Sequence, residues 1–201
     1  MKIKLIIILY AISFNVIAQT EKDVKSIFGN GKLHSGYFLT PSVKSGNIAG
    51  STNVITGIGA GVIFNNKFSL DGSYRFTVTE NSPAGEDPAY YLHGRWFGLG
   101  GEYTVMPEKI IHLGFPVEVG LGEIELDVKD SFENMHMPVI QDEAWFFNIE
   151  PAIALEVNVW KYIKLNFKAG YRFVSNINFR NITEKDLAGV TFSLGIKAGI
   201  F

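Results

Sequence analysis

The stretch "YIKLNFKAGYRF", residues 162–173, decides how the rest of the chain is read. Ile163, Leu165, Phe167, Ala169, Tyr171 and Phe173 fall on one side, and Lys164, Asn166, Lys168, Gly170 and Arg172 on the other. A period of two marks a β-strand with one oily and one polar face. In a soluble sandwich the oily row is the core and the cations meet water. In a membrane barrel the arrangement inverts: the oily row touches lipid and the polar row lines the interior. The remaining sequence has to choose between them.

Seven further segments alternate in the same way. They run over about Leu33–Ser42, Asn53–Phe64, Phe68–Thr79, Tyr91–Val105, from Ile110 onward, Trp145–Val159, and about Ala188–Phe201. The segment from Ile110 places Ile111, Leu113, Phe115, Val117, Val119 and Leu121 on its oily side. Its phase then slips at Gly122-Glu123, and a β-bulge there would let Ile124 and Leu126 continue the oily row. Between segments, the short links Asn65–Lys67, Met106–Lys109 and Trp160-Lys161 alternate with the longer links Val43–Thr52, Asn81–Tyr90, Lys129–Ala144 and Ser175–Leu187. A sandwich has no physical reason to gather every long link at one end. A membrane barrel does, because short turns face the periplasm and longer loops face outward.

Charge and aromatic placement agree with the barrel. With the oily rows outside, the inward charges are Asp71, Arg75, Glu102, Glu118, Glu150, Glu156, Lys164, Lys168, Arg172 and Lys197. Charges in a small interior are tolerated when paired, and Glu150 or Glu156 on the sixth strand could meet Lys164, Lys168 or Arg172 on the seventh. Phe64, Phe68, Trp160 and Tyr162 flank short turns, whereas Trp145, Phe147, Tyr171 and Phe173 lie toward the opposite end. Two such girdles sit at headgroup level in membrane barrels. The oily row faces lipid on this reading.

The beginning of the chain, "MKIKLIIILYAISFNVIAQT", has the charged, apolar and small-residue parts of an export signal. Residues 1–18 are therefore expected to be a cleaved signal and residues 19–32 a polar leader before a barrel at 33–201. Without Lys2 and Lys4, 16 basic residues remain against 20 acidic ones, a mild net charge of −4 that offers nucleic acid no footprint. Cysteine is absent, so ladders and packing rather than disulfides must hold an exported chain.

With "AGYRF" and a final "FSLGIKAGIF", the sequence resembles small outer-membrane β-barrels of the OmpA/OmpX kind. The resemblance covers nearly all of the mature chain but is architectural and carries no subfamily motif. It implies an all-β, antiparallel up-and-down transmembrane barrel of about eight strands in the outer membrane of a Gram-negative bacterium. It also implies that Phe201 is an assembly signal read by the barrel-assembly machinery. Here the match departs from pattern, because Ile200 rather than Phe201 keeps phase with Leu194, Ile196 and Ala198.

No convincing catalytic constellation emerges. His34 adjoins Ser35, but neighbours on a strand point to opposite faces. His93 has Arg95 nearby and no nucleophile in sequence, and His112 lies beside a short turn. The link "DVKDSFENMHMPVIQDEAW" holds Asp127, Asp130, Glu133, Met135, His136, Met137, Asp142 and Glu143, yet its spacing fits no metal template. It reads as an acidic surface loop. "GIGAG" and "GLGGEY" lie inside strands with no helix following, so neither is a phosphate loop. The expectation is a non-enzymatic barrel, without cofactor or metal, that supports the envelope or binds a partner through its outer loops. A rim-active lipid-modifying enzyme and a narrow solute channel are the alternatives.

Overall fold

The computed structural model describes residues 33–79, 90–128, 140–177, 179 and 182–201. The expected signal, the polar leader and most of the link carrying His136 lie outside the described residues. From His34 onward the chain forms one unit. Its strands are β1 (Ser35–Ile48), β2 (Ser51–Phe64), β3 (Phe68–Thr77), β4 (Tyr90–Val105), β5 (Ile111–Val128), β6 (Ile140–Trp160), β7 (Ile163–Ser175) and β8 (Gly189–Ile200). Each pairs antiparallel with the next, and β8 returns to β1 from Tyr37↔Ile200 to Gly46↔Thr191. Closure gives every strand two neighbours, so backbone polar groups are satisfied within the wall. A helical turn, α1 (Glu184–Leu187), interrupts the β7–β8 connection.

The outer surface would be untenable in water. Leu99 is 70% exposed and Phe192 61%, within a continuous belt that includes Leu39, Ile58, Val62, Phe115, Ile153, Phe167 and Leu194. Soluble monomers rarely expose apolar patches beyond a few hundred Å². The inward row is polar and buried, with Lys44, Glu102, Glu150, Glu156, Lys164, Arg172 and Lys197 all sequestered. The wall is therefore inverted relative to a soluble domain, as lipid requires.

Two expectations are corrected. There is no bulge at Gly122-Glu123: β4 and β5 keep one register from Tyr90↔Val128 to Val105↔Leu113. Ile124 and Leu126 point inward and are 0% exposed. The irregularity of β5 lies against β6, between Leu126 and Asp127. Above Leu121 the sidedness of the wall reverses, with Glu123 sharing the outward phase of Leu121 and Ile124 the inward phase of Gly122. The upper wall thus has a charged exterior and an apolar interior, as a strand does once it leaves the bilayer. Likewise Val43–Thr52 is not a long link. β1 and β2 continue through it to a two-residue turn at Ala49-Gly50, both at positive φ as a tight hairpin of this kind needs. Residues 78–89, 129–139 and 176–188 form the longer connections at that end.

The interior admits its large side chains because glycine faces them. A Cβ on Gly61 would press into the Phe38 ring and the Leu70 carbonyl, and one on Gly122 would overlap the Phe146 ring. Gly122→Val should therefore expel Phe146 from its buried place and cost about 1–3 kcal/mol in urea unfolding. An unchanged midpoint would mean that the upper interior is loosely filled.

Candidate functional site

The barrel interior is filled in three levels. Nearest the short turns, Glu156 is the hub. Its carboxylate pairs with Lys197, accepts a hydrogen bond from Asn166 Nδ2 at 2.8 Å, meets His112 Nε2 at 3.0 Å, and lies 4.0 Å from Lys164. His112 also engages the Lys109 carbonyl through Nδ1 at 3.1 Å, so the turn and β6 are tied through one ring. Lys197 bridges to Glu102 at 3.6 Å, and Lys168 approaches the other Glu102 oxygen at 3.6 Å. The Phe201 ring lies 4.1 Å from Lys164 Nζ, a cation–π contact at the turn end of the lumen. Ile200 stays on the exposed outer row.

The middle level joins Arg75 to Glu118 and Lys44 to Glu150, the latter at 2.6 Å. Thr191 donates to the same Glu150 oxygen at 2.9 Å. Asp71 lines a polar cavity of about 40 Å³ between these two levels, together with Arg75, Glu102, Lys168 and Lys197. That space admits a few waters and no solute of metabolite size.

The upper level is apolar. Ile48, Ile55, Leu92, Trp96, Ile124, Leu126, Ala144 and Phe146 project inward from the wall, and Phe179, Ile182 and Leu187 from the β7–β8 connection pack onto them. α1 holds this strap in shape through a cap in which the Thr183 N–H and hydroxyl both donate to Asp186, at 2.8 and 2.7 Å. Those bonds hold the Asp186 carboxyl below its ordinary range. The cap is accordingly complete at neutral pH and weakens only as pH falls through that lowered value.

The charged side chains line the lumen with partners other than those expected. β6 and β7 pair with Ile153 opposite Ala169 and Leu155 opposite Phe167, one residue from the register a turn pairing Val159 with Tyr162 would impose. Of the β6–β7 ion pairs expected, the structure contains Glu156 with Lys164. Glu150 instead takes Lys44, Lys168 takes Glu102, and Arg172 binds backbone carbonyls. The bore is narrow enough for long side chains to reach across it, so adjacency along the sheet does not select partners. Lys44 was missed because "SVKSGNIAGS" has the composition of a loop. His112 shares the inward phase of Gly114, Pro116 and Glu118, which is the signal that could have placed it in the network.

The aromatic girdles are on the outer face. Trp160 and Tyr162 pack edge to face at 5.5 Å by a short turn, and the tilted rings of Tyr171 and Phe173 lie 4.7 Å apart near the other end. Trp145 and Phe147 are exposed outward, and Phe64 pairs with Phe68 across the Asn65–Lys67 turn. Above the girdle, Arg95 binds Glu123 at 3.1 Å and also Glu125. Glu143 lies close to both acids, so Arg95 offsets part of a carboxylate trio.

A closed eight-stranded wall, belted in oil and girdled with aromatics, is an outer-membrane architecture. The chain has the fold of the small outer-membrane β-barrels. No protein-family model and no curated protein matches the sequence. Among solved structures it is similar to Neisserial surface protein A (NspA), with TM-score 0.51 and 12% identity over 84% of this chain and 97% of that one. A major outer membrane protein from Thermus thermophilus is similar at TM-score 0.51 and 8% identity, over 83% of this chain and 100% of the other. Ail, the attachment invasion locus protein of Yersinia pestis, in complex with the heparin analogue sucrose octasulfate, is similar at TM-score 0.50 and 12% identity, over 83% of this chain and 97% of that one. At these identities the likeness concerns the fold.

Proposed function

We propose that the protein is an integral outer-membrane barrel that neither conducts nor catalyses, and that acts by presenting its outer connections to a partner in or beyond the envelope. The observation that carries this reading is the filled bore: two levels of ion pairs and one apolar level, with about 40 Å³ of polar space between the charged levels. An interior of this kind stabilises a wall and leaves binding to its ends. The expected export signal and the assembly role of Phe201 belong to the same reading, with lipid and the barrel-assembly machinery as the partners of biogenesis. Among the histidines, His112 is engaged on both ring nitrogens at the short-turn end, away from the outer rim where a lipid-modifying site would sit.

Reconstitution into planar bilayers tests the filled bore directly. The wild type should show no discrete conductance steps, and a stable open channel would overturn the reading. The enzymatic alternative is tested by incubating the protein with outer-membrane lipids. Turnover that disappears in His93→Ala or His136→Ala would replace the present proposal with a rim-active enzyme.

A further inference from the structure

Arg172 is an anomaly among the buried cations. It is almost wholly enclosed, yet among the described residues it has taken no carboxylate. Its Nε donates to the Leu187 carbonyl at 2.8 Å, Nη2 donates to the Asn47 carbonyl, and the guanidinium lies 5.7 Å from the Trp96 ring centre. One side chain thus ties three things at the mouth: the strap, the top of β1 and the wall of the apolar cup. Beside it the strap is also fastened by backbone, with the Ala49 N–H donating to the Asp186 carbonyl at 2.8 Å. Leu187, 1% exposed, is the side chain the strap inserts into the cup.

An alternative seat for this guanidinium is already built. Between Ile149↔Phe173 and Ala152↔Gly170 the β6–β7 ladder places Glu150 opposite Arg172. Glu150 uses Oε1 for both Lys44 and Thr191, and its buried Oε2 has no hydrogen-bond partner among the described residues. A cavity of about 10 Å³ is lined by both Arg172 and Glu150, along with Trp96 and Asn148. A buried guanidinium binds a carboxylate more strongly than neutral carbonyls, so the second seat is chemically competent and sits at the paired position of the adjoining strand.

We infer that Arg172 is a two-position latch on the outer mouth of the barrel. Seated on the Leu187 and Asn47 carbonyls, it holds the strap shut. Seated on Glu150, it frees the strap and opens an apolar cup lined by Ile55, Leu92, Trp96, Leu126 and Phe146 toward the cell exterior. The inference concerns the mouth alone and stands whether or not the outer connections bind a partner.

Amide hydrogen exchange of the full chain in nanodiscs tests it, read at the Ala49 N–H and normalised to Leu155 in the mid-wall so that global stability cancels. Arg172→Gln should speed the normalised exchange about tenfold or more, because the closed seat loses its charge-assisted bonds. Glu150→Gln should slow it by about twofold or more, because the open seat loses its anion. A merely structural arginine predicts the opposite for the second variant, since losing Glu150 would loosen the neighbourhood. Unchanged exchange in Arg172→Gln, or unchanged or faster exchange in Glu150→Gln, overturns the latch. Should Arg172→Gln fail to give folded protein, an impermeant maleimide applied to Leu187→Cys, alone and with Glu150→Gln, provides the same reading. Labelling must be slower in the pair, and equal or faster labelling overturns the latch. The natural chain contains no cysteine to interfere.

Discussion

Lys197→Met is expected to destabilise the barrel by about 3–5 kcal/mol, the range for removing one member of a buried ion pair. Lys197 is the cation shared by Glu156 and Glu102, and its loss leaves two carboxylates in a buried interior with fewer counter-charges. Lys164 is 4.0 Å from Glu156 and Lys168 is 3.6 Å from Glu102, so neither carboxylate is left wholly alone. The cost should therefore fall toward the lower part of that range. Adding Glu156→Gln to Lys197→Met should recover part of it, which a double-mutant cycle would report as coupling. Urea unfolding followed by heat-modified gel mobility is the measurement. A loss under about 1 kcal/mol, as for an exposed pair, would mean that water screens the lumen.

Leu99→Arg should be nearly as damaging for the opposite reason. Leu99 stands outward in the middle of β4, the most exposed large apolar side chain among the described residues of that strand. An arginine at mid-bilayer on a barrel's lipid face costs about 2–4 kcal/mol. Lys168→Gln, which keeps a polar group in a polar lumen, should cost less. Folding yield into lipid vesicles would rank the two. Equal damage, or the reverse order, would contradict the assignment of faces.

Most of the architecture was legible because a barrel strand obeys one rule throughout the bilayer. Ile163 to Phe173 alternate without a miss, and the same phase carries through β2, β3 and β8. The rule lapses where the bilayer ends. Leu121, Ile124 and Leu126 are oily in sequence, but alternation alone does not say whether an oily residue faces lipid or a plug. Continuing the lipid row would need a bulge at Gly122-Glu123, whereas the structure keeps the β4–β5 register unbroken there and changes the surroundings. Lys44 was lost to the same limit, since a strand rising into water can have the composition of a loop. The network was half legible. Inward phase points charges at the lumen only within segments that read as strands, which leaves Lys44 out, and the pairing was hidden because Lys44 reaches Glu150 and Lys197 reaches Glu102 across the bore. Those contacts depend on closure between β8 and β1 and on bore width, neither of which is a property of any one segment. The strap was not legible at all: Leu187 and Ile182 sit in a polar connection whose apolar residues have no period.

Which way the alternating rows face is the central claim, and one pair of adjacent positions tests it. Nitroxide labels on Phe167→Cys and Lys168→Cys, each in a chain otherwise free of cysteine, can be compared in nanodiscs by their collisions with oxygen and with a water-soluble nickel chelate. The label at 167 should collide with oxygen and be shielded from nickel, as a side chain in lipid is. The label at 168 should be shielded from oxygen. The opposite assignment, or two labels equally accessible to nickel, would place the oily row away from lipid and contradict the inverted barrel.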